Sequence, residues 1–219
     1  WRVGIIGHTG RGGYGHGLHT MWLSVPQVEI VALADPDESG RERARGEVNL
    51  PPAAAWSDYR QMLADVRPEI VAVCPRHIDQ HREKPFCRTP AEADEIVSAC
   101  DDAGTKLALA HRNRYHPAVP VAIHAIHEGI IGRLLEVRCR GLEDARGGAQ
   151  DLWVLGTHVF DLARAFVGEA VSCSAEMRID AEPVAASHLV DGPEGIGPIG
   201  GNRLHARYEM SRGIPLYFD

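Results

Sequence analysis

Six glycines lie between positions 7 and 17, directly after the short apolar run Val3–Ile6. An uninterrupted apolar run of this length is typical of a buried parallel strand. Glycine after such a strand lets the backbone turn tightly and approach a pyrophosphate without a Cβ in the way. The pattern Gly-x-Gly-x-x-Gly fits at Gly10, Gly12 and Gly15, so the segment predicts a dinucleotide site, with a flexible loop as the alternative.

A helix is expected after this glycine-rich segment, with its N-terminus directed at the phosphates. Its buried side would be formed by Leu18, Met21, Trp22 and Leu23. The residues of the segment that are predicted to contact the cofactor are Gly7, Thr9, Gly10, Arg11 and Gly12.

A second apolar run, Val28–Ala34, ends at Asp35. A carboxylate at the end of this strand accepts hydrogen bonds from the adenine ribose, and it repels the 2′-phosphate of NADP. Asp35 therefore favours NAD as the cofactor, although Arg41 or Arg43 would soften this preference and leave NADP possible. The alternative is that Asp35-Pro36 only initiates a turn.

Strands and helices alternate through the first half of the chain, which is typical of parallel βαβ units. The further elements expected there are helices at 38–47, 59–66 and 90–103 and strands at 70–73 and 106–110. Ser57 or Asp58 would cap the second of these helices, and Thr89-Pro90 would begin the third. The fold class is therefore α/β, with a Rossmann domain, a doubly wound parallel sheet, over residues 1–116.

After Pro117 the pattern changes to that of an α+β domain, expected over residues 117–219 with an open, mostly antiparallel sheet. The elements expected there are helices at 119–127 and 156–166 and strands at 134–140, 171–179, 203–210 and 214–218. Because the last strand stops at the chain end and would leave an exposed sheet edge, the domain is expected to continue beyond Asp219.

One junction in the first domain lacks the length that the fold requires. The strand Ile70–Val73 and its loop reach His81, and Glu83-Lys84-Pro85 follows at once. Neighbouring parallel strands need a crossover of about a dozen residues or more. We therefore expect that a helix and a strand are missing between residues 81 and 82, and a Cα separation of about 3.8 Å there would contradict this.

Charge and cysteine content exclude several kinds of partner. The net charge of −7 disfavours nucleic acid and anionic membranes. No apolar run approaches the roughly 20 residues that span a bilayer. The five cysteines form no Cys-x-x-Cys pair, so neither a disulfide framework nor a metal site is expected. Reduced cysteines are typical of cytoplasmic proteins, so we expect a cytoplasmic location.

Two residues are candidates for proton transfer or for orienting a substrate. His158 stands at the apolar start of a helix, where a histidine can exchange protons near neutral pH, unless it is a packed, hydrogen-bonded structural residue. Lys84 follows a strand and would reach a nicotinamide or a substrate hydroxyl, unless Glu83 and Lys84 form a solvated charge pair.

A substrate-binding role is predicted for residues that follow the last Rossmann strand. Arg114 suits a carboxylate or hydroxyl groups, and Tyr115 lies beside it. The alternative is that residues 112–116 form a solvated hinge.

Together these segments resemble the Gfo/Idh/MocA oxidoreductases, the family of glucose–fructose oxidoreductase and inositol dehydrogenase. The resemblance runs in order through nearly the whole chain, on Val3-Gly4-Ile5-Ile6-Gly7, Ala34-Asp35-Pro36-Asp37, Val73-Cys74-Pro75, His81, Glu83-Lys84-Pro85 and Gly156-x-His158-x-x-Asp161. It implies that Pro75, His81, Glu83 and Lys84 lie at the cofactor, with Lys84 beside nicotinamide and substrate. It also implies that His158 exchanges the proton of a substrate hydroxyl.

The activity that this resemblance implies is NAD(P)-dependent hydride transfer at a secondary alcohol of a sugar, polyol or cyclitol. A small carbohydrate or polyol would be the substrate, and the protein would be a homo-oligomer. Two alternatives stay open, namely NAD-dependent glycoside cleavage without net redox change and a non-catalytic dinucleotide-binding regulator.

The chain departs from this family in three places: near residues 81–83, at the end of the second domain, which stops early, and at Val154. Many members place an aspartate four residues before the histidine, where this chain has Val154, and Asp151 lies three residues earlier. The stretch Asp151-Leu152-Trp153 suggests a remodelled pocket in which Trp153 stacks on a sugar ring, unless Trp153 is simply part of the core.

Overall fold

The computed structural model describes residues 1–10, 12–15, 17–75, 86–87, 89–141, 148–192 and 197–219. The chain divides into two compact units, Trp1–Leu109 and Ala110–Asp219. Within the described ranges, no helix is long and apolar enough to cross a membrane. The junction expected between residues 81 and 82 lies outside these ranges.

The first unit contains a four-stranded sheet in the order β3-β2-β1-β4, in which every pairing is parallel. Its elements are β1 (Arg2–Ile6), β2 (Glu29–Ala34), α1 (Glu38–Glu47), β3 (Ala55–Trp56), α2 (Tyr59–Val66), β4 (Ile70–Val73) and α3 (Pro90–Asp102). The chain runs outward from β1 to β3 and then returns to the other side of β1. The topological switch point, where sheets of this kind bind ligands, therefore lies at the carboxyl ends of β1 and β4.

Helices cover both faces of this sheet, as the prediction of a doubly wound sheet requires. Alternate residues of a strand point to opposite faces. Val3 and Ile5 of β1 and Leu33 of β2 pack in one apolar cluster with Ala44 and Val48 at the end of α1. The neighbouring residues Ala32 and Ala34 pack instead against Met62 of α2. The predicted fold class is confirmed in this unit.

Local capping signals determine where the three long helices of the first unit begin. Asp37, Asp58 and Thr89 each precede a helix, and each side chain accepts a hydrogen bond from a backbone N–H of that helix's first turn. Pro90 occupies the first helical position of α3, where its missing N–H costs nothing. The expected caps at residues 58 and 89 are confirmed.

Two predicted elements of the first unit are wrong. The helix expected after the glycine-rich segment is only a single 3₁₀ turn, Met21–Ser24, in which Met21 is 46% exposed. Five glycines with positive φ precede this turn, and such a backbone forms successive turns rather than a helix. Residues 106–110 form no strand, and the segment lacks the β-branched side chains that favour one.

The second unit contains a five-stranded sheet in the order β5-β11-β10-β6-β7, which is antiparallel except for the pair β5–β11. Its strands are β5 (Val137–Cys139), β6 (Ala170–Ile179), β7 (Glu182–Pro183), β10 (Arg203–Met210) and β11 (Pro215–Phe218). A separate hairpin pairs β8 (Val190–Asp191) with β9 (Pro198–Ile199). The expected α+β architecture with a mostly antiparallel sheet is confirmed.

Along the chain, the helices of this unit precede its long antiparallel strands. They are α4 (Ala118–His127), the single turn α5 (Ala149–Asp151) and α6 (Thr157–Val167). Phe160, Ala163 and Val167 of α6 pack on apolar side chains of the sheet, among them Leu216 and Phe218 of β11. This packing holds α6, whose first turn carries His158, against the sheet.

Candidate functional site

The glycine-rich segment forms a tight loop at the carboxyl end of β1. His8 and Gly13 exchange two backbone hydrogen bonds of 3.1 and 3.0 Å, which close the loop over residues 9–12. Gly10 and Gly13 have φ values of 85° and 59°, which favour glycine. Apart from each glycine and its chain neighbours, no described atom lies within 4 Å of the position that a Cβ would take at either residue, which leaves space on that side of the described backbone.

Asp35 ties this loop to the end of β2. Its side chain is fully buried. The backbone N–H of Thr9 donates to Oδ1 and Oδ2 at 3.2 and 3.0 Å, and the Thr9 hydroxyl donates to Oδ2 at 2.8 Å. The N–H of Asp37 donates to Oδ1 at 2.9 Å. These contacts compensate the burial of a charge, and a ribose can reach the carboxylate of Asp35 only if Thr9 moves.

Thr9 is also held from the side by α1. The side chain of Thr9 occupies the space that a Cβ at Gly40 would need, and Gly40 is itself buried. Any larger residue at position 40 would collide with Oγ1 of Thr9. The hydroxyl that binds Asp35 is therefore positioned by a helix that begins after β2.

Tyr14 covers the first glycine of the loop and was missed in the sequence analysis. Its ring lies where a Cβ at Gly7 would be, and it is buried. Burial first, and then the neighbouring Asp35 carboxylate, raise the pKa of the Tyr14 phenol above its ordinary value. An aromatic residue in a glycine-rich loop was the signal that could have identified it.

The other residues predicted at the cofactor divide into two groups. The N–H of Cys74 donates to the carbonyl of Ile6 at 2.9 Å, which places buried Pro75 at the end of β4 beside the end of β1. Pro75 and Gly7 therefore flank the topological switch point of the sheet. Arg11, His81, Glu83 and Lys84 lie outside the described residues.

His158 lies in the first turn of α6, directly after a π-helical turn formed by Leu152–Gly156. Turns of this kind are rare and occur often at functional sites. His158 is half-buried. Its ring meets that of His111 edge to face, with centroids 5.6 Å apart and an angle of 88° between the planes. The sequence predicted the helix from residue 156 but neither the π-helical turn nor the His111 contact.

Asp151 is buried, and its carboxylate lies against the backbone of Gly141. In an uninterrupted α-helix, residues seven positions apart lie on the same face, which would align Asp151 with His158. A π-helical turn lies between these two residues. Trp153, in that turn, is half-buried.

Arg114 binds Asp161 rather than pointing into open space. The Nε atom donates to Oδ1 and Oδ2 at 3.2 and 3.0 Å, and Nη2 donates to Oδ1 at 2.7 Å and to the backbone carbonyl of Asp161 at 2.9 Å. The hydrogen bonds from Asp161 raise the pKa of Arg114. Tyr115, also predicted to bind substrate, is 79% exposed.

The first unit has the fold and the glycine-rich loop that define a dinucleotide-binding domain, and the second unit has a histidine at a π-helical turn. The model of the Gfo/Idh/MocA family, an oxidoreductase family with an NAD-binding Rossmann fold, matches residues 1–111. The chain belongs to this family.

Two curated relatives are sugar dehydrogenases. The D-apiose dehydrogenase of Paraburkholderia graminis is 29% identical over 182 residues, which cover 72% of this chain and 48% of the relative. The levoglucosan dehydrogenase of Pseudarthrobacter phenanthrenivorans is 28% identical over 176 residues, which cover 67% of this chain and 44% of the relative. The chain thus spans about half the length of these relatives.

Solved structures share the fold along the whole chain. An oxidoreductase from Agrobacterium radiobacter in complex with NAD+, L-tartaric acid and magnesium superposes with a TM-score of 0.75 at 18% identity, covering 100% of this chain and 65% of its own. The WlbA dehydrogenase from Bordetella pertussis in complex with NADH and UDP-GlcNAcA gives a TM-score of 0.71 at 19% identity, covering 99% and 69%. At these identities the likeness establishes the fold.

Proposed function

We propose that the whole protein is an NAD-dependent oxidoreductase that transfers hydride between its cofactor and a secondary alcohol of a sugar, polyol or cyclitol. The observation that carries this proposal is the combination, in a member of this family, of an open glycine loop at the sheet's switch point and a half-buried histidine after a π-helical turn. The two related sugar dehydrogenases support a small carbohydrate as the substrate.

In this proposal the dinucleotide binds to the first unit at the carboxyl ends of β1 and β4. When bound, the dinucleotide supplies the nicotinamide ring that accepts or donates hydride. The described residues that would hold it are Gly7, Thr9, Gly10, Gly12 and Pro75, together with Asp35 once Thr9 has moved away from its carboxylate. Because the described residues 17–24 form turns and a 3₁₀ turn rather than an α-helix, the backbone N–H groups of the glycine loop itself would bind the pyrophosphate.

His158 acts as the acid/base group in this proposal. As the substrate carbon loses its hydride, the hydroxyl proton passes to a ring nitrogen of His158, and the imidazolium later releases the proton to water. In the reverse direction His158 returns the proton to the alkoxide. Lys84 is proposed to orient the hydroxyl by donating a hydrogen bond to its oxygen.

The buried negative charge of Asp35 supports NAD rather than NADP. Calorimetric titration of the protein with each cofactor tests this, with Asp35→Asn as the variant and Asp58→Asn as the control, since Asp58 caps α2 outside the loop. We expect NAD to bind more tightly, and Asp35→Asn to narrow the difference between NAD and NADP. Tighter binding of NADP to the unmodified protein would contradict the assignment.

The acid/base role of His158 is tested by following NADH formation with D-apiose, levoglucosan and myo-inositol. Loss of a general acid/base group costs about 10²- to 10⁴-fold in rate, so His158→Gln should lose at least about 100-fold in kcat. The control is His124→Gln, because His124 is exposed on α4. Equal loss of activity in both variants, or no loss in His158→Gln, would show that His158 is not the acid/base group.

A dinucleotide-binding protein without turnover is the second candidate. Val154 stands where many members of the family have the aspartate that precedes the histidine, which removes one orienting carboxylate. Saturable NAD binding without turnover of any alcohol in the panel would favour this reading over an enzyme.

A further inference from the structure

His111 and His158 come from segments 47 positions apart in the chain, yet their rings touch. His111 precedes the 3₁₀ turn Arg112–Tyr115, and His158 lies in the first turn of α6. The angle of 88° between the rings means that the edge of one faces the π surface of the other. This edge-to-face arrangement is one of the two that aromatic pairs favour.

A second contact joins the same two segments, three residues further along each of them. Arg114 lies three residues after His111, and Asp161 lies three residues after His158. Residues three apart are neighbours on a helical surface. The guanidinium of Arg114 reaches both carboxylate oxygens and the backbone carbonyl of Asp161. A planar guanidinium bound in this way fixes orientation as well as distance, and this ion pair joins the segment that carries His111 to the helix that carries His158.

We propose that His111 is a positioning residue that orients the imidazole of His158, and that the Arg114–Asp161 ion pair holds the two histidine-bearing segments together. The inference rests on the proposed function, in which His158 takes the hydroxyl proton while the hydride goes to the bound dinucleotide. His111 exchanges no proton with the substrate in this scheme. Its ring keeps the accepting nitrogen of His158 in one direction, which proton transfer requires.

The variants His111→Ala and His111→Phe separate ring packing from ring chemistry, and His124→Ala is the matched control on exposed α4. Losing the whole energy of an aromatic pair from the transition state alone would slow the reaction by about 2- to 12-fold. We expect His111→Ala to lower kcat by about this factor without changing the dissociation constant of NAD. His111→Phe, which keeps an aromatic edge and face, should restore most of the loss.

The ring of His158 can also be observed directly, in the whole protein labelled with ¹⁵N-histidine and with the signal assigned from His158→Gln. The ring-nitrogen shifts of His158 should move in His111→Ala and return towards their original values in His111→Phe. Unchanged shifts in His111→Ala, an unchanged kcat, or no recovery in His111→Phe would overturn the inference.

This design keeps two failures apart. If the unmodified protein turns over none of D-apiose, levoglucosan and myo-inositol, the proposed function fails, while the nitrogen shifts still decide whether His111 orients His158. If the protein is active and the His111 variants match His124→Ala in both measurements, the proposed function stands and the role of His111 is refuted.

Discussion

Replacing Gly40 by alanine should destabilise the first unit, although the same replacement at Gly46 of the same helix should stabilise it. Both glycines lie within α1 and neither has a positive φ. A Cβ at Gly40 would collide with Oγ1 of Thr9, whereas a Cβ at Gly46 meets nothing within 4 Å. Gly40 is buried and Gly46 is exposed, and only a Cβ at Gly40 meets Thr9.

Three terms determine the size of the difference. Alanine in place of glycine inside a helix is worth up to about 1 kcal/mol of stability. Displacing the Thr9 hydroxyl from the Asp35 carboxylate costs about 1.5–3 kcal/mol, and inserting a methyl group into a packed contact costs about 1–3 kcal/mol. We expect Gly40→Ala to lower the free energy of unfolding by about 1.5–5 kcal/mol and Gly46→Ala to raise it by up to about 1 kcal/mol.

Urea denaturation followed by tryptophan fluorescence measures both changes, because Trp1, Trp22 and Trp56 lie in the first unit. The variant Thr9→Val removes the hydroxyl bond without adding a methyl group at residue 40, so it should reproduce the hydrogen-bond share of the loss. If Gly40→Ala stabilises the protein as much as Gly46→Ala does, Thr9 is not packed against α1 and the proposed anchoring of the loop is refuted.

Three other predictions concern single contacts. Thr89→Ala removes the cap of α3 and should cost about 1 kcal/mol in urea denaturation, most of which Thr89→Ser should recover; equal stability of all three proteins would contradict the capping role. Arg114→Met leaves the carboxylate of Asp161 unpaired and should lower the free energy of unfolding by about 2 kcal/mol. The control Arg112→Met, at an exposed position of the same turn, should lower it little. A similar loss of stability in both variants would show that the ion pair contributes nothing. In timed alkylation read by mass spectrometry, exposed Cys173 should react before Cys139. Burial raises the pKa of the Cys139 thiol and so lowers its thiolate fraction. Faster labelling of Cys139 would contradict this prediction.

The sequence predicted the elements that short-range signals define. The apolar runs of β1 and β2 and the caps at Asp58 and Thr89 lie in the same few residues as the elements they specify. The helix expected after the glycine-rich segment failed for a local reason as well. Apolar spacing at 18–23 resembles a helix, but the positive φ values of the preceding glycines form turns instead.

The contacts that build the candidate site could not be read from the sequence, because each joins distant positions. Thr9 and Asp35 were both predicted to bind the cofactor, yet nothing in their spacing indicates that they bind each other. The pairing of His111 with His158 depends equally on tertiary packing. The π-helical turn depends on backbone hydrogen bonding that apolar periodicity does not report.

The interlocking of Thr9, Asp35 and Gly40 also limits how this chain can diverge. Substitutions at positions in direct contact have non-additive effects on stability. A larger residue at position 40 becomes acceptable only after Thr9 has shrunk, and a smaller residue at position 9 leaves the buried Asp35 with fewer donors. Replacements at these positions should therefore accumulate in a set order. The residue found at one of the three positions then depends on the residues already present at the other two.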